Sequence, residues 1–196
     1  MAIKQILLLI ASSLLSAPLH SAAASQEPAR KAAAKPRFED YSVEQGSVGK
    51  PTRIVWPSSM DSADPENQKF IDSVKEAVAH GPNFAGHYAI AHWGLGTGIS
   101  SIAVVDLVTG EVFREMPFVF LDVPWDPESK IPYRGYSFRV NSRLLIASGC
   151  FYKGESQRGN DCGWKYYKWE QNRFVLLSAV PGPVPSNYRQ QEKHQE

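Results

Sequence analysis

The stretch from Asn83 to Phe113 constrains the fold more than any other part of the chain. It holds two apolar runs, Gly86–Trp93 and Ile99–Val108, which the Gly-rich sequence GLGTG separates by only five residues. Parallel strands need a crossover of a dozen or more residues, so two strands this close must be antiparallel neighbours. Thr109–Gly110 then favours a tight turn into a further strand at Val112. The sequence therefore predicts an antiparallel sheet and not a βαβ fold.

Both faces of these two strands are expected to be covered. Neither alternate row of side chains in Gly86–Trp93 is consistently polar, and Ile99–Val108 repeats the pattern. A strand with one solvated face alternates polar and apolar residues, so this pattern favours strands buried on both sides.

An amphipathic helix is predicted from Pro65 to His80. Asp64 suits the N-cap, Pro65 suits the first helical position, and Gly81 is a helix stop. The apolar side chains recur at helical spacing on one face: Phe70, Ile71, Val74, Ala77 and Val78. We therefore expect this helix to cover one side of the sheet.

The second half of the chain supplies further antiparallel strands. Val112–Leu121 is apolar but contains Pro117, which favours an edge strand or a bend. Three later runs alternate with loops and turns and are predicted strands: Leu144–Ser148, Trp164–Glu170 and Phe174–Val180. The predicted fold class is α+β, a mostly antiparallel β-sheet meander with one amphipathic helix packed on it. It forms a single domain from residue 38 to residue 181.

The segments outside this domain have a different character. Residues 1–24 resemble a signal peptide, with Lys4, a short apolar run at Ile6–Leu15, and small residues at Ala22–Ala24 for cleavage. The apolar run is too short to span a bilayer of ~30 Å as a helix. Residues 25–37 are expected to form a flexible basic tether, and residues 182–196 a disordered polar tail. The expected localisation is therefore export, to the periplasm or the medium.

The near-equal numbers of basic and acidic residues argue against strongly anionic partners. The whole chain has a formal net charge of +1, and predicted cleavage removes Lys4, so the mature chain is close to neutral. A balance of this kind does not point to nucleic acid or to an anionic membrane. We expect no stable membrane insertion after cleavage, and the oligomeric state stays open.

The two cysteines, Cys150 and Cys162, are predicted to form a disulfide. An even cysteine count in an exported chain favours a bond, and two cysteines at this spacing are too few ligands for a metal site. The bond would close a loop that carries Phe151, Tyr152 and Arg158. It either only stabilises a small core or also preorganises this loop for a partner.

The Gly94–Gly98 loop invites comparison with a phosphate-binding loop. Such loops lead into a helix N-terminus, whereas the residues after Gly98 have the pattern of a strand. We therefore interpret the loop as a hairpin connection with glycines at positive φ, and no cofactor is expected.

Several motifs resemble a family of small exported bacterial proteins of unassigned function. They are NFAGHY at Asn83–Tyr88, WGLGTGI at the Gly-rich loop, the strand that ends in Asp106, and the Thr-Gly turn. The Cys150–Cys162 segment and YYKWEQNRFVL add to a resemblance that covers roughly residues 82–177. In that family cysteines flank the loop, as in WGCGTGC, where this chain has Leu95 and Ile99. The resemblance implies export and a fold, but no chemistry, and a crosslink of this loop is not expected here.

Catalytic candidates are few. His87 with Asp106 forms an acid–base pair if the strands are in register, and Ser100 or Ser101 would be the nucleophile of an envelope hydrolase. The GxSxG context of a nucleophile elbow is absent. His87 and His92 lie five apart on one strand and face opposite sides, so no metal site is expected.

The sequence therefore favours a non-enzymatic binding module over this hydrolase. We expect it to act on a protein or a cell-envelope component, for example as an inhibitor or an immunity-type protein of an envelope enzyme or toxin. The expected contact residues are Trp125, in a Pro-rich loop, with Phe151, Tyr152, Arg158 and Gly96.

Overall fold

The computed structural model describes residues 34–46, 49–58, 60, 67–96, 98–124, 133–152 and 161–185. These residues belong to one compact unit. The predicted signal peptide, most of the predicted tether, and residues 186–196 of the predicted tail lie outside them.

One α-helix and eight strands form the described part of the fold. A short 3₁₀ turn, Phe38–Tyr41, precedes helix α1, Gln68–His80. The strands are β1 Tyr88–Gly96, β2 Ile99–Asp106, β3 Val112–Phe113, β4 Phe120–Asp122, β5 Gly135–Ser137, β6 Leu144–Tyr152, β7 Cys162–Glu170 and β8 Arg173–Pro181.

All strand pairs in this sheet are antiparallel, in the order β1-β2-β4-β6-β7-β8. The predicted α+β class, a mostly antiparallel sheet with one helix, is confirmed for the described residues. The order departs from a simple meander in the middle, because β3 pairs with β2 and β5 pairs with β6 beside the main path.

The expected strand Val112–Leu121 is interrupted. Its two ends are β3 and β4, and residues 114–119 leave the sheet between them. Pro117 lies in this interruption and has no N–H to donate to a neighbouring strand, which accounts for the break.

Both faces of the β1–β2 hairpin are buried over most of its length, as the residue pattern predicted, but His92 and the described residues of the tip are exposed. One face, which includes Ala89, Ala91 and Trp93, packs against the apolar side of α1. The other face carries Ile90, Ile102 and Val104 into a core shared with β6 and β7. The small alanines let the helix approach the sheet closely.

Helix α1 buries all five of its predicted core residues. It ends at His80, where Gly81 has φ 86° and its N–H donates to the carbonyl of Ala77 at 3.2 Å. Its described start is Gln68, with Asn67 before it, while the predicted start at Pro65 lies outside the described residues.

The end of the chain packs on the sheet further than expected. The Gly182 N–H donates to the Cys162 carbonyl at 2.9 Å, and the Tyr133 hydroxyl donates to the Pro183 carbonyl at 2.9 Å. Val184 contacts the same small core. Residues 182–185 thus belong to the packed fold, although the sequence assigned them to a polar tail. Val184 supplies the apolar contact, and Gly182 has no side chain to keep the backbone apart.

Candidate functional site

The NFAGHY segment builds the entry into β1. Phe84 and Tyr88 exchange backbone hydrogen bonds of 3.0 Å, and the loop between them turns through Ala85 at φ 45° and Gly86 at φ 88°. The Phe84 side chain is fully buried in the core. Most of this motif therefore serves the fold, and only Asn83, His87 and Tyr88 keep partly exposed side chains.

The predicted His87–Asp106 pair lies in contact. Nε2 of His87 is 3.7 Å from Oδ1 of Asp106, too far for a hydrogen bond. The same Oδ1 accepts hydrogen bonds from the N–H groups of Val108 at 2.8 Å and Thr109 at 3.3 Å. Asp106 thus already caps the turn that follows β2.

The serine candidates lie at the opposite end of the hairpin. Tyr88 pairs with Asp106, whereas Gly94 pairs with Ser100. Six residues along a strand span about 20 Å, so neither Ser100 nor Ser101 can reach His87. Ser100 Oγ instead donates to the Leu121 carbonyl at 3.4 Å. The Ser–His–Asp set of the alternative hydrolase is therefore not assembled.

The Gly-rich loop is a hairpin tip, as expected, and a strand follows it. Gly96 and Gly98 have φ 98° and 85°, a region that favours glycine. A Cβ on Gly98 would lie 3.0 Å from Oδ1 of Asp122 and from the Val123 carbonyl oxygen, so this position also lacks space. Gly96, a predicted contact residue, is exposed.

A cleft of about 560 Å³ lies between this tip and β5, and we call it the loop cleft. Its lining includes His92, Arg134, Tyr136 and Phe138 together with the exposed glycines of the tip. The rings of His92 and Tyr136 meet edge to face at 5.6 Å. Burial lowers the pKa of His92 and raises the pKa of Tyr136, so both are neutral at pH 7.

A second opening, of about 680 Å³, lies on the other side of the tip, and we call it the helix groove. It runs between the start of α1 and the β3–β4 connection. Its apolar lining is Trp93, Leu95, Met116, Phe118, Val119 and Phe120, and its cations are Lys69 and Arg114.

The predicted contact residues differ in how far the structure exposes them. Phe151 is only 1% exposed, because its ring packs against Phe118 and under the ammonium group of Lys165. It is a core residue and offers no contact surface. Tyr152 is half-buried and donates its hydroxyl to Oδ2 of Asp122 at 3.3 Å. Trp125 and Arg158 lie outside the described residues.

The Cys150–Cys162 disulfide is present, as predicted. It joins directly opposed residues of β6 and β7, and Tyr133, Trp164 and Val184 pack around it. The loop that it closes, residues 153–160, lies outside the described residues.

The described residues contain neither a cluster of metal-ligating side chains nor a helix that could span a membrane. No group of three or more His, Cys, Asp or Glu side chains there is arranged to hold a metal ion. No described helix is long and apolar enough to cross a membrane.

Comparison with known proteins adds no assignment. No family model, curated protein or solved structure matches the chain.

Sequence reasoning missed the residues that build both openings. Arg134 and Tyr136 flank or lie in β5, which has only three residues and no recognisable alternation. Arg114 and Val119 lie where the expected strand breaks, so their exposure follows from that break. Pro117 was the available signal for it.

Proposed function

We propose that this chain is exported and binds a protein partner through the helix groove instead of catalysing a reaction. The observation that carries this proposal is an open apolar groove at the hairpin tip with exposed large side chains. Leu95 is 42% exposed and Val119 is 47% exposed, and both line it. Exposed apolar side chains grouped in one groove are typical of interaction sites.

Export is supported by two features of the chain. The N-terminal residues have the charge, apolar run and small residues of a signal peptide. The disulfide is compatible with an oxidising compartment. An envelope enzyme or a toxin would meet the protein there, so an inhibitor or immunity-type role is our preferred form of the proposal.

The charges of the helix groove favour a partner segment that is both apolar and acidic. The Arg114 guanidinium lies 4.6 Å from the Phe70 ring centroid and donates to the Asn67 side-chain oxygen at 3.0 Å, so its orientation is fixed. Lys69 adds a second cation, and the described part of the lining holds no acidic side chain. A carboxylate on the partner would therefore complement this rim.

The hydrolase alternative lacks support from the geometry. His87 contacts Asp106, but the register of β1 and β2 keeps Ser100 about 20 Å away along the hairpin. Among the described residues, no Ser, Thr or Cys lines the opening beside His87.

Crosslinking in an envelope extract, followed by purification of the captured partner, tests the proposal. We expect Leu95→Asp with Val119→Asp to weaken binding of that purified partner at least tenfold in calorimetry, because each change places a carboxylate in the apolar groove. Val108→Asp is the matched control, since Val108 is 63% exposed at the opposite end of the hairpin.

Two outcomes would contradict the proposal. The first is a partner affinity that the groove variant leaves unchanged. The second is a hydrolytic activity of the purified protein that His87→Ala abolishes while the fold stays intact, which would restore the enzyme interpretation.

A further inference from the structure

The loop cleft is lined by a cation, aromatic rings and glycines, and the proposed protein partner does not contact them. It lies on the opposite side of the hairpin tip from the helix groove, and different residues line it. His92 and Gly94 point to one side of β1, whereas Trp93 and Leu95 point to the other, as alternate residues of a strand do.

Arg134 presents an unused cation to this cleft. Its backbone is fixed, because its N–H donates to Ser148 Oγ at 2.9 Å and the next residue, Gly135, opens β5. Its guanidinium makes no hydrogen bond or ion pair with any described residue. An arginine whose backbone is fixed beside a cleft, and whose guanidinium has no acidic partner among the described residues, suits a planar, doubly accepting anion such as a carboxylate.

The neighbouring rings offer an apolar platform. Tyr136 is held by its hydroxyl, which donates to the Ser100 carbonyl at 3.4 Å, and by Phe118, whose ring stacks on it at 6.1 Å. The His92 imidazole makes no hydrogen bond with the described residues, and its ring meets Tyr136 edge to face. The Tyr136 ring is therefore held in place, and the His92 imidazole N–H remains available to a ligand oxygen.

The glycines of the tip complete the cleft with uncovered backbone. Gly94, Gly96 and Gly98 are exposed and line it without side chains, so a ligand can approach their peptide groups. Asp122 is buried behind Gly98 and accepts the Tyr152 hydroxyl. Among the described residues that line the cleft, none is acidic.

We propose that the loop cleft binds a carboxylate-bearing saccharide. The carboxylate pairs with the Arg134 guanidinium, the C–H face of the sugar ring lies on Tyr136 and Phe138, and the hydroxyls bond to the His92 imidazole and the glycine peptide groups. The volume of about 560 Å³ is within the range of small-ligand sites and accommodates one or two sugar rings.

Two sugars that differ only in a carboxylate test this assignment. N-acetylmuramic acid is N-acetylglucosamine with a lactyl carboxylate, so the pair isolates the charge. We expect the acid to shift backbone NMR signals of residues 94–98 and 134–136 in the folded, disulfide-bonded protein. We expect N-acetylglucosamine to bind about tenfold to a hundredfold more weakly, the effect of losing charge-assisted hydrogen bonds.

Substitution of Arg134 provides a second test of the same assignment. Arg134→Gln is expected to remove the difference between the two sugars, and Arg173→Gln, which changes an exposed arginine at the start of β8, is the matched control. Equal affinities for the two sugars, no binding of either, or an unchanged preference in Arg134→Gln would overturn the proposal. Lactate that binds as tightly as N-acetylmuramic acid would overturn the saccharide part.

Discussion

At the scale of single residues, Asn83 replaces a missing strand neighbour at the start of β1. Ile90 donates its N–H to Asn83 Oδ1 at 2.7 Å, and Asn83 Nδ2 donates to the Ile90 carbonyl at 3.2 Å. One carboxamide thus satisfies both backbone groups of a buried strand residue. A buried backbone N–H or C=O group without a hydrogen-bond partner lowers the free energy of unfolding.

Asn83→Leu is therefore expected to destabilise the fold. The side chain has a similar size but can neither donate nor accept, so the free energy of unfolding should fall by about 1–3 kcal/mol. Asn83→Asp keeps the acceptor for the Ile90 N–H and should fall between the two. Urea unfolding of the three proteins measures this order, and a leucine variant as stable as the parent would refute it.

Residue positions along a strand explain which parts of the candidate site were predictable. The His87–Asp106 contact follows from hairpin register, and the structure contains it. The separation of Ser100 from Asp106 was also implied by the sequence, because six residues of strand span about 20 Å. The role of Phe151 could not be read in this way, since its burial depends on Phe118 and Lys165, which are distant in sequence.

At the scale of elements, the helix was the most predictable part of the chain. Its apolar residues follow the 3.6-residue period on their own, so the buried face needs no knowledge of the partner sheet. Strands β3, β4 and β5 have only two or three residues each, too few to show the alternation of polar and apolar residues that identifies a strand. Their pairing is decided by tertiary contacts, and the order of the middle of the sheet was therefore beyond the sequence.

The packing of α1 on the sheet leads to a matched pair of substitutions. Val74 is fully buried between Phe70 and Val78 on the face that contacts β1 and β2. Val74→Asp should lower the free energy of unfolding by several kcal/mol, about 3–5, because it buries an unpaired charge.

Lys75→Asp introduces the same residue one position along, on the exposed side of the helix. It should change stability by less than about 1 kcal/mol. Thermal or denaturant unfolding measures the stability of the two variants. Similar losses in both would mean that this face of α1 does not pack on the sheet.

At the scale of the whole molecule, the disulfide joins β6 to β7 where the end of the described chain packs against these strands. Cys150 and Cys162 are both buried, and the core around them includes Tyr133 from the segment before β5 and Val184 from the chain end. Loss of the bond therefore affects contacts between distant parts of the chain as well as the local hairpin.

Export and oxidation give one joint prediction for the intact protein. We expect the mature chain to begin at or near Ser25 and to weigh ~2 Da less than its reduced form, as two joined thiols require. Cys150→Ser with Cys162→Ser should lower stability by ~3 kcal/mol, the effect of a closed loop of this size.

Intact mass and N-terminal sequencing of the exported protein measure the first part, and denaturant unfolding measures the second. Free thiols in the exported protein, or a chain that keeps Met1 in the membrane pellet, would contradict the prediction. A double serine variant as stable as the parent would show that the bond contributes nothing to the fold.

The two ends of the described unit meet at one side chain, Trp164. The Lys35 ammonium lies 5.9 Å from the centroid of its ring, and Gly182 packs directly against the same ring. One end of the described residues thus reaches the Trp164 ring through a lysine side chain and the other through backbone, so a flexible peptide linker could join them. The same sheet is therefore compatible with a circularly permuted gene whose linker joins these two ends.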